Sequence, residues 1–119
     1  MSTVLVVDDD EGVRRVIEDH LASSGYDVLS APDTAVALRQ LASHPEIDLC
    51  LVDLVMPSDV LDGVAFARLA KSQSPNIPFI LMTGYYSAAE RVGDLAGNLI
   101  YKPVGLDKLE AEIRRLLEG

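Results

Sequence analysis

Five residues of this 119-residue chain carry side chains that could act together chemically, and each one ends or directly follows a short apolar run. They are Asp8, Asp9, Asp53, Thr83 and Lys102. Apolar runs of this length fit strands that are buried on both faces, as in a parallel sheet. Ligands of an open parallel sheet bind beyond the carboxyl ends of its strands, near the point where the strand order reverses. Three carboxylates, one hydroxyl and one ammonium are therefore expected to meet at one edge.

The chemistry of such a group follows from its charges. Carboxylates at short range raise one another's pKa, and a divalent cation would offset that cost. Carboxylate, backbone carbonyl and water oxygens suit Mg²⁺ in its octahedral geometry. A carboxylate beside such a cation can act as a nucleophile toward a phosphoryl group. Thr83 and Lys102 would supply a hydroxyl donor and a positive charge to the phosphoryl oxygens. The five residues therefore predict a phosphoaspartate site.

The rest of the chain alternates between two kinds of segment that would position these residues. The apolar, β-branched runs that predict strands are Val4–Val7, Val28–Leu29, Leu49–Val52, Phe79–Met82 and Leu99–Tyr101. Amphipathic stretches with helical spacing lie between them. The first apolar stripe comprises Val13, Val16, Ile17 and Leu21, and the last comprises Leu106, Leu109, Ile113, Leu116 and Leu117.

Helix-start and helix-end signals agree with this alternation. Gly25 is typical of the residue after a helix, whereas Asp33 and Asp62 are typical N-caps. Ser87, with Glu90 three residues later, predicts a capping box for a fourth helix. Strand and helix alternate five times, which predicts an α/β fold with right-handed crossovers but leaves the strand order open.

Composition limits the class of protein. The chain is 49% apolar and carries a formal net charge of −9, so it can build one core, and we expect a single domain over residues 1–119. An acidic surface argues against nucleic-acid binding by this chain alone. The one cysteine, Cys50, excludes an internal disulfide. No apolar run is long enough for a membrane span and no signal peptide is evident, so a cytoplasmic location is expected.

Four short motifs resemble the receiver domain of bacterial two-component response regulators. They are Val4-Leu5-Val6-Val7-Asp8-Asp9, Leu51-Val52-Asp53 with Met56-Pro57, Thr83-Gly84, and Lys102-Pro103. Each motif is weak alone, but the four occur in the family's order and span essentially the whole chain. The resemblance implies a doubly wound, five-stranded parallel sheet of order 2-1-3-4-5, with five helices on both faces.

The resemblance also implies a role for each site residue. Asp53 corresponds to the phosphoacceptor, which takes a phosphoryl group from a histidine kinase or a histidine phosphotransfer protein. Thr83 corresponds to the switch hydroxyl, and Lys102 to the lysine that contacts the phosphoryl group. The chain would then be a signalling module and no enzyme beyond its own phosphorylation and dephosphorylation.

Further implications concern the metal and the partners. Asp8 and Asp9 correspond to the metal-binding acidic pair, and Asp53 with the Val55 backbone carbonyl would complete the protein ligands of Mg²⁺, for which Mn²⁺ is an expected substitute. Partner docking in this family commonly uses a face that corresponds to Ser87–Glu118. The same face often forms a homodimer, and no membrane contact is implied.

The chain departs from the family pattern at four places, of which two are the loop after the proposed acceptor and the residues before the lysine; the others are Val55 and Gly84-Tyr85. The loop between Met56-Pro57 and Asp62-Gly63 is two residues longer than usual, which adds Asp59. The aromatic residue usual three positions before the lysine is replaced by Leu99, whereas Tyr101 directly precedes Lys102. The second departure changes the side chain that would couple to the threonine.

Two other functions fit parts of the pattern. Asp8-x-Asp10 after a strand imitates the nucleophile and acid of haloacid-dehalogenase-like phosphatases, although Gly12 breaks that motif and Asp107 stands alone where an acidic pair is expected. A pseudo-receiver that only binds partners is the third possibility. The sequence also leaves open whether the domain stands alone or comes from a hybrid kinase or larger regulator.

Overall fold

A computed structural model of the chain describes residues 2–54, 63–83, 98–102 and 105–118. Along these residues, strands and helices alternate from the first strand to the fourth. The strands are β1 (Thr3–Val7), β2 (Asp27–Ala31), β3 (Ile47–Asp53), β4 (Phe79–Thr83) and β5 (Leu99–Tyr101). The helices are α1 (Glu11–Ser23), α2 (Thr34–Ser43), α3 (Gly63–Gln73) and α4 (Leu106–Glu118).

The five strands form one parallel sheet in the order β2-β1-β3-β4-β5. The chain moves outward from β1 to β2, returns past β1 to β3, and then continues through β4 to β5. The order therefore reverses between β1 and β3, which makes their carboxyl ends the switch point of a doubly wound sheet. The fold class and the strand order implied by the resemblance are confirmed.

The central strands and the edge strands of the sheet differ in burial. Every residue of β1 and β4 is buried, as is most of β3, because these strands have neighbours on both sides and helices on both faces. The edge strands β2 and β5 are mostly half-buried. The apolar pair Val28–Leu29 accordingly marks only the centre of a strand that extends from Asp27 to Ala31.

The core has one layer on each face of the sheet. On one face, Val4 and Val6 of β1 pack with residues of α1 and α4, including Ile17 and Ile113. On the other face, residues of β1, β3 and β4 pack with α2 and α3, where Phe66 is fully buried. Helices therefore cover both faces, as expected. Cys50 lies in the second layer, and burial raises the pKa of its thiol, so it is a core residue.

The helix ends explain how the loops beside the strands are closed. Asp33 caps α2 by accepting a hydrogen bond from the Val36 N–H at 2.8 Å. Gly25 follows α1 with φ of 98°, a left-handed conformation that glycine adopts without strain. Both predictions are confirmed. The predicted Asp62 cap and the fourth helix at Ser87–Glu90 lie outside the described residues.

The apolar stripe predicted for α1 is partly wrong. Ile17 and Leu21 are buried, but Val13 and Val16 are 38% and 54% exposed. The face of α1 that packs on the sheet is centred on Ile17 and Leu21, which places Arg14, three residues before Ile17, nearer that face than Val16. Hydrophobicity alone predicted that Val13 and Val16 belong to the buried face, whereas that face extends toward Arg14 instead. None of the helices in the described ranges has the length and apolar character that a membrane span requires.

Neighbouring positions of α1 offer a test of this packing. Ile17→Ala is expected to lower the free energy of unfolding by about 2–5 kcal/mol, because it removes a side chain from the closed core. Val16→Ala is expected to change it by less than about 0.5 kcal/mol, since Val16 is exposed. Urea denaturation followed by circular dichroism measures both. Equal losses for the two variants would contradict the described orientation of α1.

Candidate functional site

The strand register brings two carboxylates together at the carboxyl edge of the sheet. Val7, the last residue of β1, pairs with Val52 of β3. Asp8 follows Val7, and Asp53 follows Val52, so the two acidic residues leave adjacent strands at the same level. Hydrogen bonds from Asp8 N–H to the Ala31 carbonyl at 3.2 Å and from Leu54 N–H to the Met82 carbonyl at 2.8 Å continue the sheet pattern past the strand ends.

Asp8 is fully buried, and its two carboxylate oxygens differ in their surroundings. Oδ1 accepts a hydrogen bond from the Asp10 N–H at 2.9 Å. Oδ2 is buried and has no hydrogen-bond partner in the described part of the chain; Lys102 Nζ lies 3.9 Å away. A buried carboxylate oxygen without a hydrogen bond is costly, so this atom marks a place where a further positive group would be stabilising.

Lys102 connects the end of β5 to the carboxylates at the ends of β1 and β3. Its backbone N–H donates to the Thr83 carbonyl at 2.7 Å, which extends the pairing of β5 with β4 by one residue. Its ammonium donates to Asp53 Oδ2 at 3.1 Å. Thr83, the last residue of β4, is fully buried at the same edge. The lysine side chain, 31% exposed, therefore crosses from the end of β5 to the end of β3.

The charges at this edge do not balance. Carboxylate oxygens of Asp8, Asp9 and Asp53 lie within 4.8 Å of one another. Burial, above all, raises the pKa of Asp8 to about 6; the negative charges of Asp53 and Asp9 add to this, whereas the Asp10 N–H and the Lys102 ammonium oppose it. At neutral pH the group of three carboxylates and one ammonium retains excess negative charge.

These residues fit a small divalent cation. Oxygens bound to one Mg²⁺ at about 2.0–2.1 Å lie up to about 4.2 Å apart, which is close to the spacing of the three carboxylates. The unpartnered Oδ2 of Asp8 is an available ligand atom. Asp8, Asp9 and Asp53 thus form an acidic pocket that could hold a metal, as the sequence predicted.

The structure brings all five predicted side-chain positions to one edge of the sheet: Asp8 and Asp9 after β1, Asp53 at the end of β3, Thr83 at the end of β4 and Lys102 after β5. Val55 and Asp59 lie outside the described residues. Asp10 is the N-cap of α1, since its side chain accepts a hydrogen bond from the Val13 N–H at 3.1 Å.

One residue beside the site was missed by the sequence reasoning. Arg14 Nη1 donates a hydrogen bond at 2.9 Å to the backbone carbonyl of Asp8. An arginine near the start of a helix usually lies in solvent, and nothing in its spacing separates it from Arg15. The signal that could have identified it is its helical position beside Ile17, once that residue is known to face the sheet.

Comparison with known families agrees with this arrangement. A family model described as "response regulator receiver domain" matches residues 4–114. The chain belongs to this family. It is therefore a receiver domain of two-component signalling systems, as its motifs suggested.

Curated relatives are similar over almost the whole chain. It is 37% identical over 117 residues to the response regulator MprA of Mycobacterium ulcerans, covering 96% of this chain and 49% of the relative. It is 36% identical over 118 residues to the probable transcriptional regulator ycf27 of Porphyridium aerugineum, covering 96% and 47%. The receiver domain thus spans about half the length of these relatives.

Solved structures share the fold over nearly their full length. The receiver domain of NtrX from Brucella abortus is 29% identical with a TM-score of 0.85, over 97% of this chain and 98% of that one. The chemotaxis protein CheY4 of Vibrio cholerae is 28% identical with a TM-score of 0.87, over 98% and 99%. Both matches show that this chain is similar in fold to solved receiver-domain proteins.

Asp8→Asn tests the electrostatic cost of the site. Because the pKa of Asp8 is raised on folding from 3.8 to about 6, the folded chain at pH 7.5 is destabilised by the ionised carboxylate, and this cost declines as the pH falls through 6. In the presence of a metal chelator, we expect the variant to be more stable at pH 7.5 by about 1–3 kcal/mol, at about 1.4 kcal/mol per pKa unit.

The gain should shrink as the pH is lowered toward 4.5, where the wild-type residue binds a proton in the folded state but not fully in the unfolded state. Chemical denaturation at several pH values measures it. Asp19→Asn, on the exposed side of α1, is the matched control. A variant that is equally destabilised at every pH would contradict the described surroundings of Asp8.

Proposed function

We propose that this receiver domain accepts a phosphoryl group on Asp53 in a Mg²⁺-dependent reaction, from a histidine kinase or a histidine phosphotransfer protein. The observation that carries the proposal is the position of Asp53. Its carboxylate lies at the switch point of the sheet, 3.1 Å from the Lys102 ammonium and in one group with Asp8 and Asp9. Nucleophile, positive charge and metal-ligand set are thus combined at one place.

The proposed reaction is a transfer between two side chains. An Asp53 carboxylate oxygen forms a bond to phosphorus, and the P–N bond to the partner's histidine breaks, with its electron pair remaining on the imidazole nitrogen, which takes up a proton from solvent. The product is an acyl phosphate on Asp53. Hydrolysis, in which water attacks phosphorus and the Asp53 carboxylate leaves, restores the starting state.

The acidic pocket would hold the cation that this transfer requires. Asp8, Asp9 and Asp53 are the proposed side-chain ligands, together with the Val55 carbonyl, which lies outside the described residues. A bound Mg²⁺, or Mn²⁺ in its place, would neutralise charge on the phosphoryl oxygens as the bond forms. The unpartnered Oδ2 of Asp8 supports this assignment, because a cation would satisfy it.

Lys102 and Thr83 would act on the transferred group. The Lys102 ammonium donates a hydrogen bond to Asp53 Oδ2. Its positive charge would therefore attract a phosphoryl group bound to Asp53. Thr83 would donate its hydroxyl to a phosphoryl oxygen and so link the phosphorylation state to β4. The buried end of β4 favours a role inside the molecule over one in solvent.

The phosphatase alternative is less well supported. It would need Asp8 as the nucleophile and Asp10 as the general acid, yet the Asp10 side chain accepts a hydrogen bond from the Val13 N–H and caps α1. The side chain that the phosphatase reading needs as its acid is thus engaged at the helix start. The pseudo-receiver alternative gives no chemical reason for grouping three carboxylates and for placing two of them, Asp8 and Asp53, beside one lysine.

The output of the domain is also a proposal. We infer that phosphorylation switches binding of a downstream protein at the face formed by Ser87–Glu118, of which residues 98–102 and 105–118 are described. We propose no enzyme activity beyond the chain's own phosphorylation and dephosphorylation. A homodimer through the same face, the absence of nucleic-acid and membrane binding, and a cytoplasmic location stay predictions.

Site mapping after incubation with acetyl phosphate and Mg²⁺ tests the proposal. Mass spectrometry is expected to find one phosphoryl group on Asp53 in the wild type and in Asp19→Asn, and none in Asp53→Asn. Chelation of the metal should abolish labelling. Label on Asp8 would favour the phosphatase reading. The absence of both labelling and Mg²⁺-dependent binding of a phosphoryl analogue would favour the pseudo-receiver.

Lys102→Met separates the role of the lysine from that of the metal ligands. We expect at least a tenfold loss in phosphorylation rate, because the positive charge beside Asp53 is removed. Mn²⁺ affinity, measured by electron paramagnetic resonance of the free ion, should stay equal or increase, since an ammonium no longer competes for the carboxylates. Lys108→Met, at an exposed position of α4, is the control. Loss of Mn²⁺ binding in Lys102→Met alone would contradict this division of roles.

A further inference from the structure

We propose that Arg14 is a positioning residue of the acidic site: its hydrogen bond to the Asp8 carbonyl holds the Asp8–Asp9 peptide so that the Asp9 carboxylate joins those of Asp8 and Asp53. The role is indirect, because Arg14 contacts the backbone between two proposed ligands and no ligand atom. This inference rests on the proposed function, because it requires that the acidic site binds a cation.

Arg14 makes one hydrogen bond within the start of α1 and one to Asp8, the residue that follows β1. The Arg14 backbone N–H donates to the Asp10 carbonyl at 2.9 Å, the first turn of the helix, while its guanidinium Nη1 donates to the Asp8 carbonyl, also at 2.9 Å. The same residue therefore belongs to the helix and closes the loop that precedes it. A shift of α1 relative to β1 would either break the hydrogen bond from Arg14 to the Asp8 carbonyl or move that carbonyl together with the helix.

The bond acts on the peptide unit that sets the direction of Asp9. Because a peptide unit is planar, orienting the Asp8 carbonyl also orients the Asp9 N–H and Cα. Other hydrogen bonds hold the neighbouring peptides: Asp8 N–H donates to the Ala31 carbonyl, and Asp10 N–H donates to Asp8 Oδ1. The Arg14 hydrogen bond adds to these by holding the peptide between Asp8 and Asp9.

Arg14 carries a largely buried guanidinium, which forms an ion pair with Glu18. Its side chain is 15% exposed, and its Nε is buried without a hydrogen-bond partner among the described residues; Glu18 Oε1, 3.7 Å away, is in the same situation. Stability alone does not favour a guanidinium placed this way, since a buried charge needs full hydrogen bonding. The contact with the Asp8 carbonyl gives the placement a functional reason.

Arg15 provides a control within the same helix turn. It is 72% exposed and pairs with Glu11 at 3.2 Å, an ion pair on the surface. Removing either arginine lowers the positive charge of α1 by the same amount. Their effects on the acidic site should nevertheless differ, because only Arg14 of the two contacts the loop in the described structure.

The sign of the effect distinguishes positioning from electrostatics. Loss of a positive charge near three carboxylates, by itself, should strengthen the binding of a cation. Loss of a positioning contact should weaken it, by about tenfold or more, as for other residues that orient metal ligands. Arg14→Ala is therefore expected to weaken Mn²⁺ binding, whereas Arg15→Ala should leave it unchanged or slightly stronger.

The experiment titrates the full chain with Mn²⁺ and measures the free ion by electron paramagnetic resonance, for wild type, Arg14→Ala, Arg14→Lys and Arg15→Ala. Arg14→Lys keeps the charge and one donor and should recover part of the lost affinity; it also serves as the test variant if Arg14→Ala does not fold. In metal-free protein, amide hydrogen exchange at Asp10 should be faster in Arg14→Ala than in Arg15→Ala.

Two failures are distinguishable. Arg14→Ala that binds Mn²⁺ as tightly as wild type or Arg15→Ala, with unchanged exchange at Asp10, would overturn the positioning role and leave the proposed function intact. A wild-type chain that binds no Mn²⁺ would contradict the proposed metal site, and the positioning role with it.

Discussion

The site depends on the attraction between one ammonium and a group of like charges. Lys102 lies 3.1 Å from Asp53 and 3.9 Å from Asp8, and it is the cation that the described structure places among the three carboxylates. Without it, two buried aspartates on adjacent strands would repel each other without compensation. With it, the site still carries excess negative charge, which favours the binding of a divalent cation.

The sheet makes this unfavourable arrangement possible. β1 and β3 are paired along their length and covered by helices on both faces, so the positions of Asp8 and Asp53 are set by the strand register and not by the site itself. The electrostatic free-energy cost of placing the carboxylates close together is therefore offset by the packing of the whole core. One buried carboxylate oxygen without a hydrogen bond, Asp8 Oδ2, lies where a ligand is expected to satisfy it, and such local exceptions are common at functional sites.

Much of the fold followed from periodicity, because buried parallel strands leave a clear apolar signal. The buried strands β1, β3 and β4 each contain an apolar run that predicts them, although β3 extends beyond Leu49–Val52 to Ile47 and Asp53. The half-buried edge strand β5 was predicted with its observed bounds, whereas the edge strand β2 was predicted too short, since a half-exposed strand admits Asp27 and Ser30. The orientation of α1 was predicted only in part: Ile17 and Leu21 are buried, but the side that packs on the sheet lies toward Arg14, whose long side chain can enter a packed region while its charge contacts a carbonyl.

The sequence by itself determined which chemical groups are available and which strand end each one follows, because residue type and hydrophobic period are local properties. These local properties were therefore sufficient to predict an acidic site that accepts a phosphoryl group. The tertiary structure alone decided how these groups meet: that Asp8 is fully buried with one oxygen unpartnered, that Lys102 reaches Asp53 from the far strand, and that Arg14 closes the loop between strand and helix. Such contacts join residues six to 49 positions apart. They depend on register and helix rotation, which arise only when the layers pack.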